Sequence, residues 1–195
     1  VKIGFFDTET TEFTKPNGDH SDQPHCCQIA GLLTDADGNE LKSFETIIAP
    51  GDVEPFHFVI PERVAEIHGI STDRAIHEGI QLIPAMEQFM SVMAEADLVV
   101  AHNIDFDIIV VGASLWRAGM NPADFQLKER FCTMKALTDV VRIPKTRGSG
   151  FKWPKLQESH LHFFGEGFED AHSAMADVKA MVRVYFEAKK QGHFA

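Results

Sequence analysis

The chain has 195 residues, 44% of them hydrophobic, enough to bury a core without covalent staples, and one globular domain over residues 1–195 is expected. A formal net charge of −11 excludes a surface that coats duplex DNA by bulk neutralisation of phosphates. Three cysteines, Cys26 beside Cys27 and Cys132 alone, make neither a disulfide framework nor a paired zinc motif, and no apolar run nears bilayer length, so a cytoplasmic protein with reduced thiols and no membrane segment is expected.

Residues 2–6, 28–34 and 41–48 read as strands, the last two joined by the turn Asp35-Ala36-Asp37-Gly38-Asn39, so the sheet begins antiparallel. After Pro50 a short helix is predicted over residues 61–67 and a longer one over about residues 84–95. The longer one carries Met86, Phe89, Met90 and Met93 on one face, a stripe read as core. Residues 98–101 form a short buried strand, followed by a helix through about Arg117, a weaker strand at residues 131–133 and another helix. Strands alternating with helices add to the sheet in parallel. Helices over residues 155–164 and 170–190 close the chain, the last capped by Asp170.

Two polar segments interrupt this scheme. Residues 12–23 are rich in Pro, Gly, Asn and Asp and read as a surface loop; His20 and His25, with no ligand spacing between them, read as solvated. Residues 140–157 contain no acid and carry Arg142, Lys145, Arg147, Lys152 and Lys155 among Phe151, Trp153 and the flexible Gly148-Ser149-Gly150. Such a segment suits a loop that tracks a phosphate backbone and stacks on unpaired bases, or else a solvated loop.

Four acids and one histidine carry the chemistry. Asp7 and Glu9, two apart on a strand, face one side, with Thr8 pointing away. Asp107 stands one helical turn after Asn103 and shares its face, whereas Asp105 is displaced by about 200° and points elsewhere. His172 and Asp177 are five apart, about 140° around an ideal helix, which places His172 in the loop or first turn and Asp177 in the next turn. Hard Mg²⁺ or Mn²⁺ ions take oxygen ligands of this kind, and a histidine suits the accompanying general base. Each element alone has a bland reading as a polar rim, a helix-dipole acid or a surface histidine; their force lies in occurring together in order.

The strings Asp7-Thr8-Glu9-Thr10-Thr11, His102-Asn103-Ile104-Asp105-Phe106-Asp107 and His172-Ser173-Ala174-Met175-Ala176-Asp177 resemble the three motifs of the DnaQ-like, DEDDh-type 3′-to-5′ exonucleases. Ile67-His68-Gly69-Ile70 resembles a further string of that family, and the resemblance spans nearly the whole chain. It implies an α/β, ribonuclease-H-like fold: a mixed five-stranded sheet, three strands antiparallel and two parallel, flanked by helices in a single exonuclease domain. Also implied are two divalent ions, Mg²⁺ or Mn²⁺, held by Asp7, Glu9, Asp107 and Asp177, with Asp7 touching both and His172 taking the proton of the attacking water. The expected reaction releases nucleoside 5′-monophosphates from a nucleic acid with a free 3′ end, single-stranded DNA being favoured. Thr10 and Thr11 would approach the terminal nucleotide, Asn103 would support the site, and Phe106 with His68-Gly69-Ile70 would line the base pocket.

Glu12 departs from the family pattern, in which a glycine commonly follows the two threonines. The chain ends a few residues after its last predicted helix, which favours a stand-alone nuclease over a proofreading subunit tethered to a DNA polymerase by a long tail. The alternatives are an idle DnaQ-like binding or scaffold subunit of a polymerase, an RNA-directed exonuclease, and a phosphatase of small nucleotides using the same ions. An idle subunit would be expected to lose one or more of the five site residues, and all five are present.

Overall fold

The computed structural model describes residues 1–15 and 17–194. Its strands are β1 (Ile3–Thr10), β2 (Cys26–Thr34), β3 (Glu40–Ile47), β4 (Leu98–Ala101) and β5 (Glu129–Cys132), in one sheet of order β3-β2-β1-β4-β5. β1, β2 and β3 pair antiparallel, and β4 and β5 add in parallel. The helices are α1 (Glu62–His68), α2 (Thr72–Glu78), α3 (Leu82–Met93), α4 (Ile104–Arg117), α5 (Ala123–Gln126), α6 (Thr133–Ala136), α7 (Thr138–Val141), α8 (Leu156–Phe164) and α9 (Ala174–Lys190). The expected mixed α/β sheet is the one observed, and no helix among the described residues is long and apolar enough to cross a membrane.

Alternation along β1 divides the core into two layers. Phe6 joins Met86, Phe89, Met93 and Phe125 beneath α3 and α4, while Ile3 and Phe5 join Val178, Met181 and Tyr185 beneath α9. By the same alternation Asp7 and Glu9 emerge on the α9 face and Thr8 on the α4 face. Gly4 and Gly31 allow α3 to lie close on the sheet, because a Cβ on either would stand 2.8 Å from the Met93 side chain. The methionine stripe is core as expected, with Met86, Phe89 and Met93 fully buried.

Several boundaries differ from expectation for physical reasons. β1 runs on past Phe6 because it pairs with β2 as far as Thr10, so Asp7 and Glu9 sit within the strand. β5 starts at Glu129, opposite Leu98, and Thr133 already begins α6; the single helix expected there is two short turns, α6 and α7. α9 starts at Ala174, not Asp170: Asp170 and His172 have φ of 56° and 72°, left-handed values that a right-handed helix cannot contain. The helix α2 was not expected, since it buries only Ala75 and shows no apolar stripe; its sequence signal is Ser71, whose hydroxyl accepts the Arg74 N–H at 3.1 Å.

The polar segment after β1 is tied down rather than free, with Pro16 outside the described residues. The Gln23 amide accepts from Lys15 N–H at 2.9 Å and donates to the carbonyls of Lys15 and Gly18, both at 2.8 Å. The Arg117 guanidinium, at the end of α4, donates to the carbonyls of Ser21, Gln23 and Pro24. His25 is not the solvated residue expected from sequence. Its ring stacks on Phe58 at 4.9 Å, and burial, then the nearby Arg117 charge, lowers its pKa to about 4.

Candidate active site

Three elements converge at one end of the sheet. β1 presents Asp7 and Glu9, the start of α4 presents Asp107, the first turn of α9 presents Asp177, and the loop before it presents His172. Glu9, His172 and Asp177 have come together most closely: one ligand atom from each lies within 4.8 Å of the others. The Asp177 carboxylate also accepts the backbone N–H of His172 at 3.2 Å, so it braces the loop carrying the histidine. His172 stands just before the helix and Asp177 in its first turn, as the five-residue spacing requires.

Thr8 points away from Asp7 and Glu9, and on that opposite face it meets Asp107. Its N–H and hydroxyl both donate to Asp107 Oδ1, at 3.1 and 2.7 Å, and Asp107 is only 3% exposed. Sequence reasoning missed this role because the contact joins residues 99 apart. Asp105 is exposed and ion-paired with Lys135, outside the acid group. Asn103 has φ 82° and ψ 47°, a left-handed geometry that Asn tolerates better than most residues; it turns the chain from β4 into α4.

The electrostatics are those of crowded, desolvated like charges. Burial raises Asp7 well above the ordinary carboxylate range, and the charges of Asp107, Asp177 and Glu9 add to the shift. Burial, with Asp177 and Asp107, pushes Glu9 up to about 8. Burial raises Asp107 to about 7 against the opposing bonds from Thr8, and raises Asp177 to about 6 against its bond from His172. No Lys or Arg among the described residues forms an ion pair with any of the four. Four converging carboxylates without a cationic side chain fit hard divalent ions, which would compensate charge that the protein itself leaves unbalanced.

Beside the acids lies a cleft of about 400 Å³, lined by Thr8, Glu9, Thr10, Glu12, Phe13, Arg63, Val64, Ile67, His68 and Phe106. It therefore gathers Thr10, His68 and Phe106, three residues expected around the terminal nucleotide, and adds an apolar wall of Phe13, Val64 and Ile67. The His68 ring is fixed from two sides, Nδ1 accepting the Ile70 N–H at 3.1 Å and Nε2 lying 3.7 Å from Cys27 Sγ. Thr11 does not line the cleft; its hydroxyl accepts the His25 N–H at 3.1 Å and shapes the loop instead. The Arg63–Glu12 ion pair, 3.3 Å at the rim, also escaped sequence reasoning, because 51 residues separate its partners.

The acid-free segment forms a hairpin, with Pro144 bridged to Phe151 and Lys145 N–H donating to the Gly150 carbonyl at 3.1 Å. His102, directly after β4, holds its base: Nδ1 is 2.9 Å from Thr133 Oγ1 and Nε2 2.9 Å from the Pro154 carbonyl. Lys152 is engaged by both oxygens of Glu158 at 2.6 Å, and the Arg142 guanidinium lies 5.8 Å from the Phe151 ring centroid. Lys145 and Arg147 are exposed and make no ion pair among the described residues, and Trp153 is 61% exposed.

Comparison with known proteins agrees with this fold. No curated protein sequence is matched at a significant level. Among solved structures, a zinc-bound complex of Escherichia coli exonuclease I with single-stranded DNA superposes with a TM-score of 0.74 at 19% identity, over 97% of this chain and 40% of that one. A structure of exonuclease I described as suggesting how processivity is achieved gives 0.77 at 19% identity, over 97% and 41%. The E. coli enzyme with a dT13 oligonucleotide gives 0.76 at 19% identity, over 96% and 41%. The chain thus spans about two fifths of the length of these exonuclease I chains, and the likeness is one of fold. The profile of the RNase_T family, described as an exonuclease family, matches residues 5–185, nearly the whole of the sheet and both helical layers, and the chain belongs to that family.

Proposed function

We propose that the chain is a divalent-metal-dependent 3′-to-5′ exonuclease that releases nucleoside 5′-monophosphates from single-stranded DNA. The observation that carries this reading is the approach of Glu9, Asp177 and His172 to within 4.8 Å, in a site completed by Asp7 and Asp107. Asp7, Glu9, Asp107 and Asp177 would hold two ions, Mg²⁺ or Mn²⁺. When bound, such ions acidify the attacking water and stabilise the charge developing on the departing 3′ oxygen. His172, exposed beside the acids, accepts the proton of that water. Asp177 holds the His172 backbone, and Thr8 holds Asp107, so both groups are placed before substrate arrives.

The cleft beside Glu9 receives the terminal nucleotide. Phe106, Phe13 and Ile67 offer apolar surface to a base, and Thr10 and His68 lie among them. Further along the strand, Lys145 and Arg147 at the hairpin attract phosphates and Trp153 stacks on an unpaired base. The choice of single-stranded DNA is supported by the oligonucleotide complexes of exonuclease I, which share the fold.

Single-stranded DNA, duplex DNA and RNA, each labelled at either the 3′ or the 5′ end, would be incubated with Mg²⁺, Mn²⁺ or EDTA. The expected result is immediate release of labelled mononucleotide from 3′-labelled single strands, a descending ladder from 5′-labelled ones, and no reaction in EDTA. Mononucleotide released first from the 5′ end, or hydrolysis that persists in EDTA, would overturn the proposal.

A further inference from the structure

The start of α9 is capped by the sheet rather than by its own chain. A helix leaves its first N–H groups without intrahelical partners, and the residue before it ordinarily supplies one acceptor. Ser173 occupies that place, but its side chain makes no capping bond. Instead Ala174 N–H donates to Gln28 Oε1 on β2, and Met175 N–H donates to Glu45 Oε1 on β3, each at 3.2 Å. Gln28 Nε2 donates to the same Glu45 oxygen at 3.0 Å. The carboxylate can only accept, so it must receive the Gln28 nitrogen, which leaves the amide oxygen for Ala174.

This cap connects the two halves of the active centre. Gln28 pairs with Glu9 across β1 and β2, on the same face of the sheet, and it is 8% exposed. The capped turn lies between His172 and Asp177. An ordinary N-cap would stabilise α9 in any orientation, whereas acceptors fixed on two strands favour only one. They also help to hold the left-handed His172 backbone, which an L residue adopts at an energetic cost. We infer that Gln28 and Glu45 are positioning residues that set His172 and Asp177 against Glu9. The inference rests on the nuclease reading of the centre but concerns groups outside its metal and proton chemistry.

The test measures kcat and KM on single-stranded DNA for Gln28→Leu, Glu45→Ala and Glu45→Gln, well below the melting temperature of each protein. Gln28→Leu and Glu45→Ala should lower kcat by about ten- to a hundredfold, as small misplacements of reacting groups do, with KM changed by less than about threefold. Glu45→Gln keeps an acceptor oxygen and should restore kcat to within about threefold of wild type. Should Gln28→Leu fail to fold, the Glu45 pair at the more exposed position decides. Unchanged kcat in Glu45→Ala, or equal impairment in Glu45→Gln, would overturn the inference, the latter by making charge rather than position responsible. An inactive wild-type protein would refute the nuclease reading itself, so the two failures are distinguishable.

Discussion

Thr8 and Asp107 meet across the sheet edge through two hydrogen bonds that end on one carboxylate oxygen, the hydroxyl at 2.7 Å and the N–H at 3.1 Å. Asp107 is buried, and these two bonds hold the direction of its carboxylate. Thr8→Val should lower kcat by about tenfold or more, comparable to losing one hydrogen bond to a charged group, and Thr8→Ser should recover most of it. Steady-state kinetics on an oligonucleotide would check this, and a fully active Thr8→Val would show that Asp107 needs no such support.

The two acids of the second motif should separate cleanly. Asp107→Asn removes a buried carboxylate from the acid group and should abolish measurable turnover, whereas Asp105→Asn breaks only an exposed pair with Lys135 and should leave kcat within about twofold. Comparable losses in the two variants would contradict the placement of Asp105 outside the centre.

How much of this was legible in the sequence depends on how local each feature is. Asp7 and Glu9 share a side because they stand two apart on one strand, Asp105 is turned away from Asp107 within one helix, and His172 stands before the helix that carries Asp177 because residues five apart do not share a helix face. The five-stranded sheet followed from the alternation of apolar runs and turns. Thr8, Gln28 and Glu45 were not legible, because their roles arise from contacts to residues 99, 146 and 130 positions away. The Asp170 cap is absent for a local reason: Asp170 takes a left-handed backbone in a turn closed by Ser173 N–H donating to its carbonyl at 3.0 Å, a conformation that Asp tolerates besides capping a helix.

Ionisation of the centre should oppose folding in the metal-free protein. Glu9 is raised to about 8, Asp107 to about 7 and Asp177 to about 6, so between the ordinary carboxylate range and about pH 8 the folded state binds more protons than the unfolded. The sign is therefore negative: this contribution to stability is greatest at the acidic end of that window and falls as pH rises through it. Thermal unfolding in EDTA should show a melting temperature that declines from about pH 6 to about pH 8, with Mg²⁺ raising it more at the higher pH. Metal titration calorimetry at neutral pH in buffers of different ionisation enthalpy should detect proton release. Absence of both effects would contradict the protonation described for these acids.

The hairpin supplies a prediction that excludes one of its own cations. Lys152 is already held by Glu158, whereas Lys145 and Arg147 in the hairpin turn are exposed and make no ion pair among the described residues. Replacing both with Ala should raise KM for long single strands and reduce the salt slope by roughly one to two counterions, with kcat nearly unchanged. A nitrophenyl ester of thymidine phosphate, too short to reach the hairpin, should be hydrolysed as before. An unchanged salt slope with the long strand would return the segment to a solvated loop.

The carboxylate centre itself is tested most directly by titrating Mn²⁺ into the wild-type protein and into Asp7→Ala while following hydrolysis in the same samples. Asp7 carries the charges of all three other acids around it, so its loss should remove tight metal uptake and turnover together. Two ions should bind to the wild type, activity should rise with their binding, and Asp7→Ala should show neither. Full activity in metal-free wild type, or an Asp7→Ala protein that still turns over substrate at the wild-type rate, would contradict this.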